Sequence, residues 1–245
     1  MSRYAPSSSM SYSFGPGPIT FAVKWIIITN VVVFVLTTFT STAAFEYFGL
    51  IPERVIERGW IWQLATYMFL HGGALHILFN MLGVWMFGVE LERRWGTRFF
   101  VQYYAVTGIG GGLTFLLISL LPFQAAAMTY VTPAVGASGA LFGLLLAFAI
   151  YYPERPIMLL LVFVPARVFV MIYGGFALLN TFQPSRGVAD AAHLGGMLFG
   201  YLYLKGGSGL TAEIKYRYLK WKMNRLRRKF DVYSGGRSDS KGRIH

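Results

Sequence analysis

The stretch TPAVGASGALFG, residues Thr132–Gly143, places Ser138 at the start of a strongly apolar segment. Polar groups inside a membrane cost free energy, and they often mark a functional site. A serine acts as a nucleophile when a base removes its proton and hydrogen-bond donors stabilise the resulting oxyanion. Ser138 is therefore a candidate nucleophile, provided that other segments supply those groups.

The amino-acid composition indicates a membrane protein rather than a soluble domain. Of the 245 residues, 55% are hydrophobic and 13% are charged, whereas soluble domains carry about 25% charged residues. The length favours one helical bundle over two separate domains. Cysteine is absent, which excludes disulfide bonds and thiolate metal sites.

Six apolar segments are predicted to cross the membrane as helices, so the expected fold is an all-α, polytopic bundle. They are Ile19–Phe39, Leu75–Val89, Phe99–Leu121, Ser138–Tyr152, Pro165–Leu179 and Ala189–Leu204. We expect a flexible N-terminal tail over residues 1–18, with no cleavable signal peptide. The membrane domain is predicted over residues 19–205 and a basic C-terminal tail over residues 206–245.

Two connections between these helices are predicted to have structure of their own. Residues 41–70 mix charged side chains with Trp60 and Trp62, a composition typical of a structured loop in the membrane interface. Pro156–Val164 is apolar but is bracketed by prolines and by Arg167. We interpret it as an interfacial or re-entrant piece that leads into the fifth helix.

The distribution of basic residues predicts the orientation in the membrane. The net charge is +12, and much of it lies in the run KYRYLKWKMNRLRRKF, Lys215–Phe230, after the last apolar segment. Connections on the same side hold Arg93, Arg94, Arg98, Arg155 and Arg167. The positive-inside rule therefore places both termini in the cytoplasm, with the bacterial inner membrane as the expected location. The C-terminal run is expected to contact anionic lipid headgroups, although a purely topological role stays open; nucleic acid is not an expected partner.

Counting depth along the predicted helices brings four polar side chains into one layer. At about 1.5 Å per residue, Ser138 lies about 21 Å from Tyr152 and His193 about 18 Å from Lys205. By the same count, His76 lies about 21 Å and Asn80 about 15 Å from Glu90. The three helices run in the same direction, so this polar layer lies below the outer membrane surface.

These residue types favour nucleophilic catalysis. Neutral His193 is suited to act as the base for Ser138. His76 and Asn80, at i and i+4, share one helix face and are candidate oxyanion donors, together with the amide of Ser138 at a helix N-terminus. Asp190 lies one turn before His193, and we assign it to the outer loop rather than to the catalytic group.

Glycines next to the polar layer predict close helix packing. Gly139 and Gly143 follow Ser138, while Gly196 and Gly200 follow His193, each pair at the small-xxx-small spacing that lets helix backbones approach in lipid. Gly136 and Gly139 are expected to frame the turn that holds Ser138. A zinc site is not predicted, because His71 and His76 are five residues apart and no HExxH pattern accompanies them.

The sequence resembles the rhomboid family of intramembrane serine proteases. The resemblance rests on WQLATYMFLHGGALHILFNM (Trp62–Met81), ELERRWG (Glu90–Gly96), GASG (Gly136–Gly139) and AHLGGMLFG (Ala192–Gly200). It implies that Ser138 is the nucleophile and His193 its base, in a dyad without an acidic third member. It also implies that His76 and Asn80 help to stabilise the oxyanion.

The resemblance extends to supporting residues, with two departures. Glu92 and Arg94 match a structural pair at the cytoplasmic end of the second helix, and Trp62 matches a tryptophan of the interfacial loop. Gln63 stands where many members have arginine. Phe142 stands where some members have a tyrosine that stacks on the histidine, so stacking is expected without the hydroxyl's hydrogen bond.

The expected activity is hydrolysis of another protein's transmembrane segment near its extracytoplasmic end, with no metal, ATP or other cofactor. Small residues at the cut and helix-breaking residues nearby are the expected preference, since a stable helix hides its carbonyls. One alternative is a rhomboid-like protein that binds transmembrane clients without cutting them. The other is a small-solute transporter, although the sequence shows no convincing inverted repeats.

Overall fold

The computed structural model describes residues 15–39, 43–122, 124–159, 162–181 and 187–230. The chain divides into two compact units, Met1–Tyr203 and Leu204–His245. Its helices are α1 (Phe21–Phe39), α2 (Ala43–Phe48), α3 (Pro52–Arg58), α4 (Gln63–Thr66), α5 (Ala74–Trp95), α6 (Thr97–Ser119), α7 (Gln124–Val131), α8 (Ser138–Tyr151), α9 (Ala166–Asn180) and α10 (Gly187–Phe230), with a 3₁₀ turn at Tyr67–Phe69. Most of the predicted N-terminal tail, residues 1–14, and the end of the predicted C-terminal tail, residues 231–245, lie outside the described residues.

All six segments predicted to cross the membrane are helical. Helices α1, α5 and α6 are each long and apolar enough to span a membrane, and α8 and α9 are shorter apolar helices. The sixth predicted segment lies in α10, which continues past Lys205 to Phe230. The prediction of an all-α, polytopic membrane bundle is confirmed.

Helix α6 lies at the centre of the first unit, where glycines and aromatic hydroxyl groups join it to its neighbours. Tyr103 is fully buried, and its hydroxyl donates to the carbonyl of Gly143 in α8 at 2.8 Å. The Tyr67 hydroxyl donates to the carbonyl of Gly108 at 2.7 Å. Such hydrogen bonds satisfy polar groups that would otherwise be buried alone in an apolar bundle.

A buried amide organises the segment between α1 and α5. Gln63 is completely buried; its Oε1 accepts from the Ile51 amide at 3.0 Å, and its Nε2 donates to the Glu46 carbonyl at 2.9 Å. The Trp62 indole donates to the carbonyl of Tyr47 at 2.9 Å. Glutamine has both a donor and an acceptor, so it joins two parts of this segment. The predicted structured loop is thus a set of short helices connected by hydrogen bonds of the buried Gln63 side chain.

The connection between α8 and α9, for which we predicted an interfacial or re-entrant piece, contains two antiparallel strands. Strand β1 (Pro156–Leu159) pairs with β2 (Val162–Pro165), and Pro156 lies opposite Pro165. A short apolar run is compatible with strand as well as helix, and this ambiguity explains why the strands were not predicted.

Glu92 joins the end of α5 to the start of α1. Its buried carboxylate accepts hydrogen bonds from the Thr20 hydroxyl (2.5 Å), the Ala22 and Val23 amides (2.9 and 3.0 Å) and the Thr97 hydroxyl (2.7 Å). The first N–H groups of a helix have no intrahelical acceptor, and a carboxylate there also complements the helix dipole. Glu92 therefore caps α1 from another helix.

Arg94, the predicted partner of Glu92, makes a separate contact. Its guanidinium lies 4.4 Å from the ring centroid of Tyr151, at the end of α8. Both carboxylate oxygens of Glu92 are occupied by the α1 and α6 donors. The two residues thus support the bundle independently, and the described part of the chain shows no ion pair between them.

Candidate active site

The structure brings Ser138 and His193 into hydrogen-bond distance. Ser138 is the first residue of α8, His193 lies in the second turn of α10, and the Ser138 Oγ atom is 2.8 Å from Nε2 of His193. Both residues are half-buried. A hydroxyl group and an imidazole in this arrangement form the nucleophile–base pair that acyl transfer requires.

Close approach of two helix backbones makes this contact possible. A methyl group at Gly196 would lie 1.9 Å from the carbonyl oxygen of Gly139, closer than any van der Waals contact allows. A methyl group at Gly111 of α6 would lie 2.7 Å from the carbonyl oxygen of Ala192. Glycine at these positions lets α8, α10 and α6 meet beside the serine and the histidine.

The outer members of the two predicted glycine pairs have different partners from those expected. A methyl group at Gly143 would lie 2.5 Å from the Thr107 side chain, and one at Gly200 would lie 2.4 Å from the Tyr103 hydroxyl. Both partners belong to α6. From the spacing we expected both glycine pairs to lie between the fourth and sixth predicted helices, but the nearest atoms to Gly143 and Gly200 belong to α6. Gly139 and Gly196 make the direct approach between α8 and α10.

Phe142 holds the imidazole of His193 from one face. The two ring centroids are 4.1 Å apart, with an interplanar angle of 6°. Phe142 lies one turn after Ser138 on α8, so the same helix carries the hydroxyl and the ring that orients its partner. The predicted stacking is present.

His76 approaches the turn before Ser138, whereas Asn80 bonds within its own helix. A methyl group at Gly136 would lie 2.7 Å from the His76 Nε2 atom and 3.8 Å from the Ser138 Oγ atom. Gly136 has a φ angle of +120°, a backbone conformation that residues other than glycine rarely adopt. Asn80 is buried, and its amide donates to the His76 carbonyl at 2.8 Å.

We expected Asp190 in an outer loop, but it lies in a helix beside His193. It belongs to the first turn of α10, and its Oδ1 atom is 3.4 Å from Nδ1 of His193. The spacing of three residues places both side chains on one helix face. His193 thus lies between a hydroxyl group at Nε2 and a carboxylate at Nδ1.

A second histidine is packed behind His76. His71 is almost completely buried, and its ring centroid lies 5.0 Å from that of His76. Burial, with a smaller contribution from His76, lowers the pKa of His71 to about 4. His71 is therefore neutral at physiological pH and packs against the site as an uncharged ring.

Comparison with known proteins identifies the family. A sequence model described as "Rhomboid domain" matches residues 58–208. The chain belongs to the rhomboid family. The expected rhomboid-like bundle is confirmed, and the matched region contains Ser138, His193, His76 and Asn80.

Three rhomboid relatives show the range of similarity. Rhomboid protease GluP of Bacillus subtilis is 31% identical over 163 residues, which cover 66% of this chain and 29% of GluP. Rhomboid protease AarA of Providencia stuartii is 30% identical over 155 residues, covering 58% of this chain and 54% of AarA. RHOMBOID-like protein 2 of Arabidopsis thaliana is 29% identical over 204 residues, covering 79% of this chain and 57% of that protein. The chain thus spans less than two thirds of the length of each.

Tyr67 is a supporting residue of this rhomboid site that the sequence did not reveal. Its backbone carbonyl accepts from the amide of Gly136 at 2.9 Å, while its hydroxyl donates to the carbonyl of Gly108. Burial raises the pKa of Tyr67 above its usual range. The residue ties the turn before Ser138 to α6. One tyrosine among 15, with partners far along the chain, carries no signal that sequence patterns alone detect.

Proposed function

We propose that this rhomboid is an intramembrane serine endopeptidase. The 2.8 Å distance between the Ser138 Oγ atom and the His193 Nε2 atom supports this proposal. Neutral His193 accepts the hydroxyl proton as Oγ attacks a peptide carbonyl carbon. The tetrahedral intermediate then collapses, the peptide C–N bond breaks, and His193 returns the proton to the leaving amine. Water hydrolyses the resulting ester of Ser138 by the same route in reverse, with His193 again as base.

The oxyanion of the intermediate requires donors close to Ser138. The backbone N–H groups of the first turn of α8 have no intrahelical acceptor, and the N-terminus of a helix favours negative charge. His76 supplies a ring nitrogen beside Gly136, on the same side as the serine hydroxyl. Asn80, one turn further along α5, is the second proposed side-chain donor. Preorganised donors of this kind each contribute about 10²-fold to kcat or more.

Two neighbours keep His193 in its working orientation. The Phe142 ring lies parallel to the imidazole at 4.1 Å and restricts its rotation. The Asp190 carboxylate, 3.4 Å from Nδ1, stabilises the imidazolium that forms when Ser138 loses its proton. The rhomboid resemblance implies a dyad; in this chain we assign Asp190 a positioning role behind the histidine.

The proposed substrate is a transmembrane segment of another protein. Ser138 is the first residue of the short apolar helix α8, and Tyr151 is its last. Counted along this helix, the serine hydroxyl is expected to lie below the outer membrane surface. Substrate carbonyls in a stable helix are hydrogen-bonded, and the segment must unwind locally before attack. We therefore propose small residues at the cut, helix-breaking residues nearby, cleavage near the extracytoplasmic end and both termini of the enzyme in the cytoplasm of a bacterial cell.

Cleavage of a model transmembrane substrate in detergent or liposomes tests the proposal. The unmodified protein is expected to cut it, whereas Ser138→Ala and His193→Ala abolish cutting while retaining the thermal transition of the unmodified protein. A fluorophosphonate probe is expected to label Ser138. Cleavage that survives Ser138→Ala contradicts the mechanism. Binding of the segment without cleavage by the unmodified protein supports the non-proteolytic alternative.

A further inference from the structure

Five side chains line an open, charged depression on the surface at the end of α5, far from Ser138. It has a volume of about 480 Å³ and is lined by Glu90, Arg93, Arg94, Tyr152 and Arg155. We call it the arginine pocket. It contains three guanidinium groups and one carboxylate. Ser138 and Tyr151 are at opposite ends of α8, about 20 Å apart at 1.5 Å per residue, so the pocket is a separate site.

Only one of the three arginines is neutralised by an acidic partner. Arg155 contacts both carboxylate oxygens of Glu90, at 2.9 and 3.0 Å. Arg93 donates to the carbonyl of Pro16 at 2.5 Å and to that of Pro18. In the described residues, no carboxylate lies within ion-pair distance of Arg93 or Arg94. Two positive charges in the pocket are therefore uncompensated.

The contacts of Arg93 and Arg94 hold these charges in place. Arg94 lies over Tyr151 at 4.4 Å and over Tyr152 at 5.9 Å, and Arg93 is held by the two proline carbonyls. Arg94 uses one face of its guanidinium group for these contacts, and Arg93 uses part of its N–H groups. Both side chains remain exposed to solvent. Binding an anion would therefore cost less side-chain entropy than it would with free arginines.

The position of the pocket indicates the type of anion. It lies where α5 and α8 end, beside Trp95, Tyr151 and Tyr152, and aromatic residues of this kind concentrate at the membrane–water interface. The distribution of basic residues predicts this side to be cytoplasmic, where anionic lipids attract cations. The planar guanidinium fork matches phosphate oxygens in pairs.

We propose that the arginine pocket binds the phosphodiester headgroup of an anionic phospholipid, with Arg93 and Arg94 as its principal ligands. Arg155 and Glu90 form the neutral wall of the site. This assigns lipid recognition to folded residues of the membrane domain and not to the basic run at the end of α10. It does not depend on whether the protein cleaves substrates.

Native mass spectrometry of the full chain in nanodiscs of phosphatidylcholine and phosphatidylglycerol tests the proposal. The measured quantity is the amount of phosphatidylglycerol retained per protein. Arg93→Gln/Arg94→Gln is expected to reduce retention about tenfold, since it removes both guanidinium groups that the site holds in position for the phosphodiester. The matched control, Lys222→Gln/Arg225→Gln, removes the same charge from exposed positions of the C-terminal basic run and is expected to change retention less than twofold.

Arg93→Lys/Arg94→Lys covers the case in which the glutamine variant does not fold. It keeps both charges but loses the planar fork, and retention is expected to fall by a few fold. Equal retention in the arginine-pocket and control variants overturns the proposal, as does a loss confined to the control. Millimolar inorganic phosphate should leave the bound lipid in place; complete displacement would show a site for free phosphate and overturn the lipid assignment.

Discussion

Asp190 and Ser138 contact opposite nitrogens of one imidazole: the carboxylate Oδ1 lies 3.4 Å from Nδ1 of His193, and the hydroxyl Oγ lies 2.8 Å from Nε2. In the proposed mechanism the imidazole becomes positively charged when it takes the serine proton, so a carboxylate on its far side would stabilise the reacting state more than the resting state. Asp190 and His193 both belong to α10, so their relative position depends on one turn of that helix.

Asp190→Asn is expected to lower kcat about tenfold with little change in KM, because it removes the charge that stabilises the imidazolium. The loss should be smaller than for a directly hydrogen-bonded acid, since 3.4 Å exceeds the usual hydrogen-bond distance. Asp190→Glu should restore part of the rate. Steady-state cleavage of a transmembrane substrate measures both, and an unchanged kcat in Asp190→Asn would remove Asp190 from the site.

Phe142→Ala is expected to reduce kcat about fivefold, because stacked rings contribute about 1 kcal/mol and the imidazole gains rotational freedom without them. Phe142→Tyr keeps the ring and serves as the matched control, with nearly full activity. Rates of Ser138 labelling by a fluorophosphonate report the same effect independently of substrate binding. Equal labelling of the alanine and tyrosine variants would show that stacking does not orient His193.

Gly196→Ala is expected to abolish activity and lower the thermal transition, because its methyl group would lie 1.9 Å from the Gly139 carbonyl oxygen and force α8 and α10 apart. Gly175→Ala is the matched control, since a methyl group there meets no atom within 4 Å. Activity and thermal unfolding in detergent measure both variants. A Gly196→Ala protein that cleaves normally would contradict the close approach of the two helices.

Acidification is expected to destabilise the protein through His71. Its pKa is about 4 in the folded protein against an ordinary value of 6.5, so the unfolded chain takes up a proton first as the pH falls. Folding stability contributed by the neutral ring is complete above pH 6.5 and is lost as the pH falls towards 4. His71→Asn removes this group and should flatten the pH dependence of unfolding over that range. A slope equal to that of the unmodified protein would assign the effect elsewhere.

Much of this arrangement follows from local sequence patterns. Long apolar runs predict the positions of the membrane helices, and depth counting along them places Ser138 and His193 in one layer. The rhomboid resemblance implied that Phe142 stacks on His193, because some members have a stacking tyrosine at this position. These predictions succeed because the helix repeat and the thickness of the membrane restrict where a side chain can lie.

Other features depend on partners that no local pattern specifies. The spacing of Gly143 and Gly200 identifies small faces but not the helix that fills them, and α6 does so in both cases. Gln63 and Tyr67 act through backbone groups distant in sequence. Asp190 was assigned to the outer loop although the predicted sixth segment, Ala189–Leu204, already contained it. An apolar pattern locates a helix but does not show which side chains pack beside its first turn.

The cap that Glu92 places on α1 has a consequence for the order of assembly. The Ala22 and Val23 amides obtain their acceptor from a residue 70 and 69 positions later in the chain. Until α5 is present, the start of α1 lacks this acceptor, and its amides depend on water, lipid headgroups or the nearby Thr20 hydroxyl. The cap on α1 therefore forms only after the chain has been synthesised as far as α5, the helix that also carries His76.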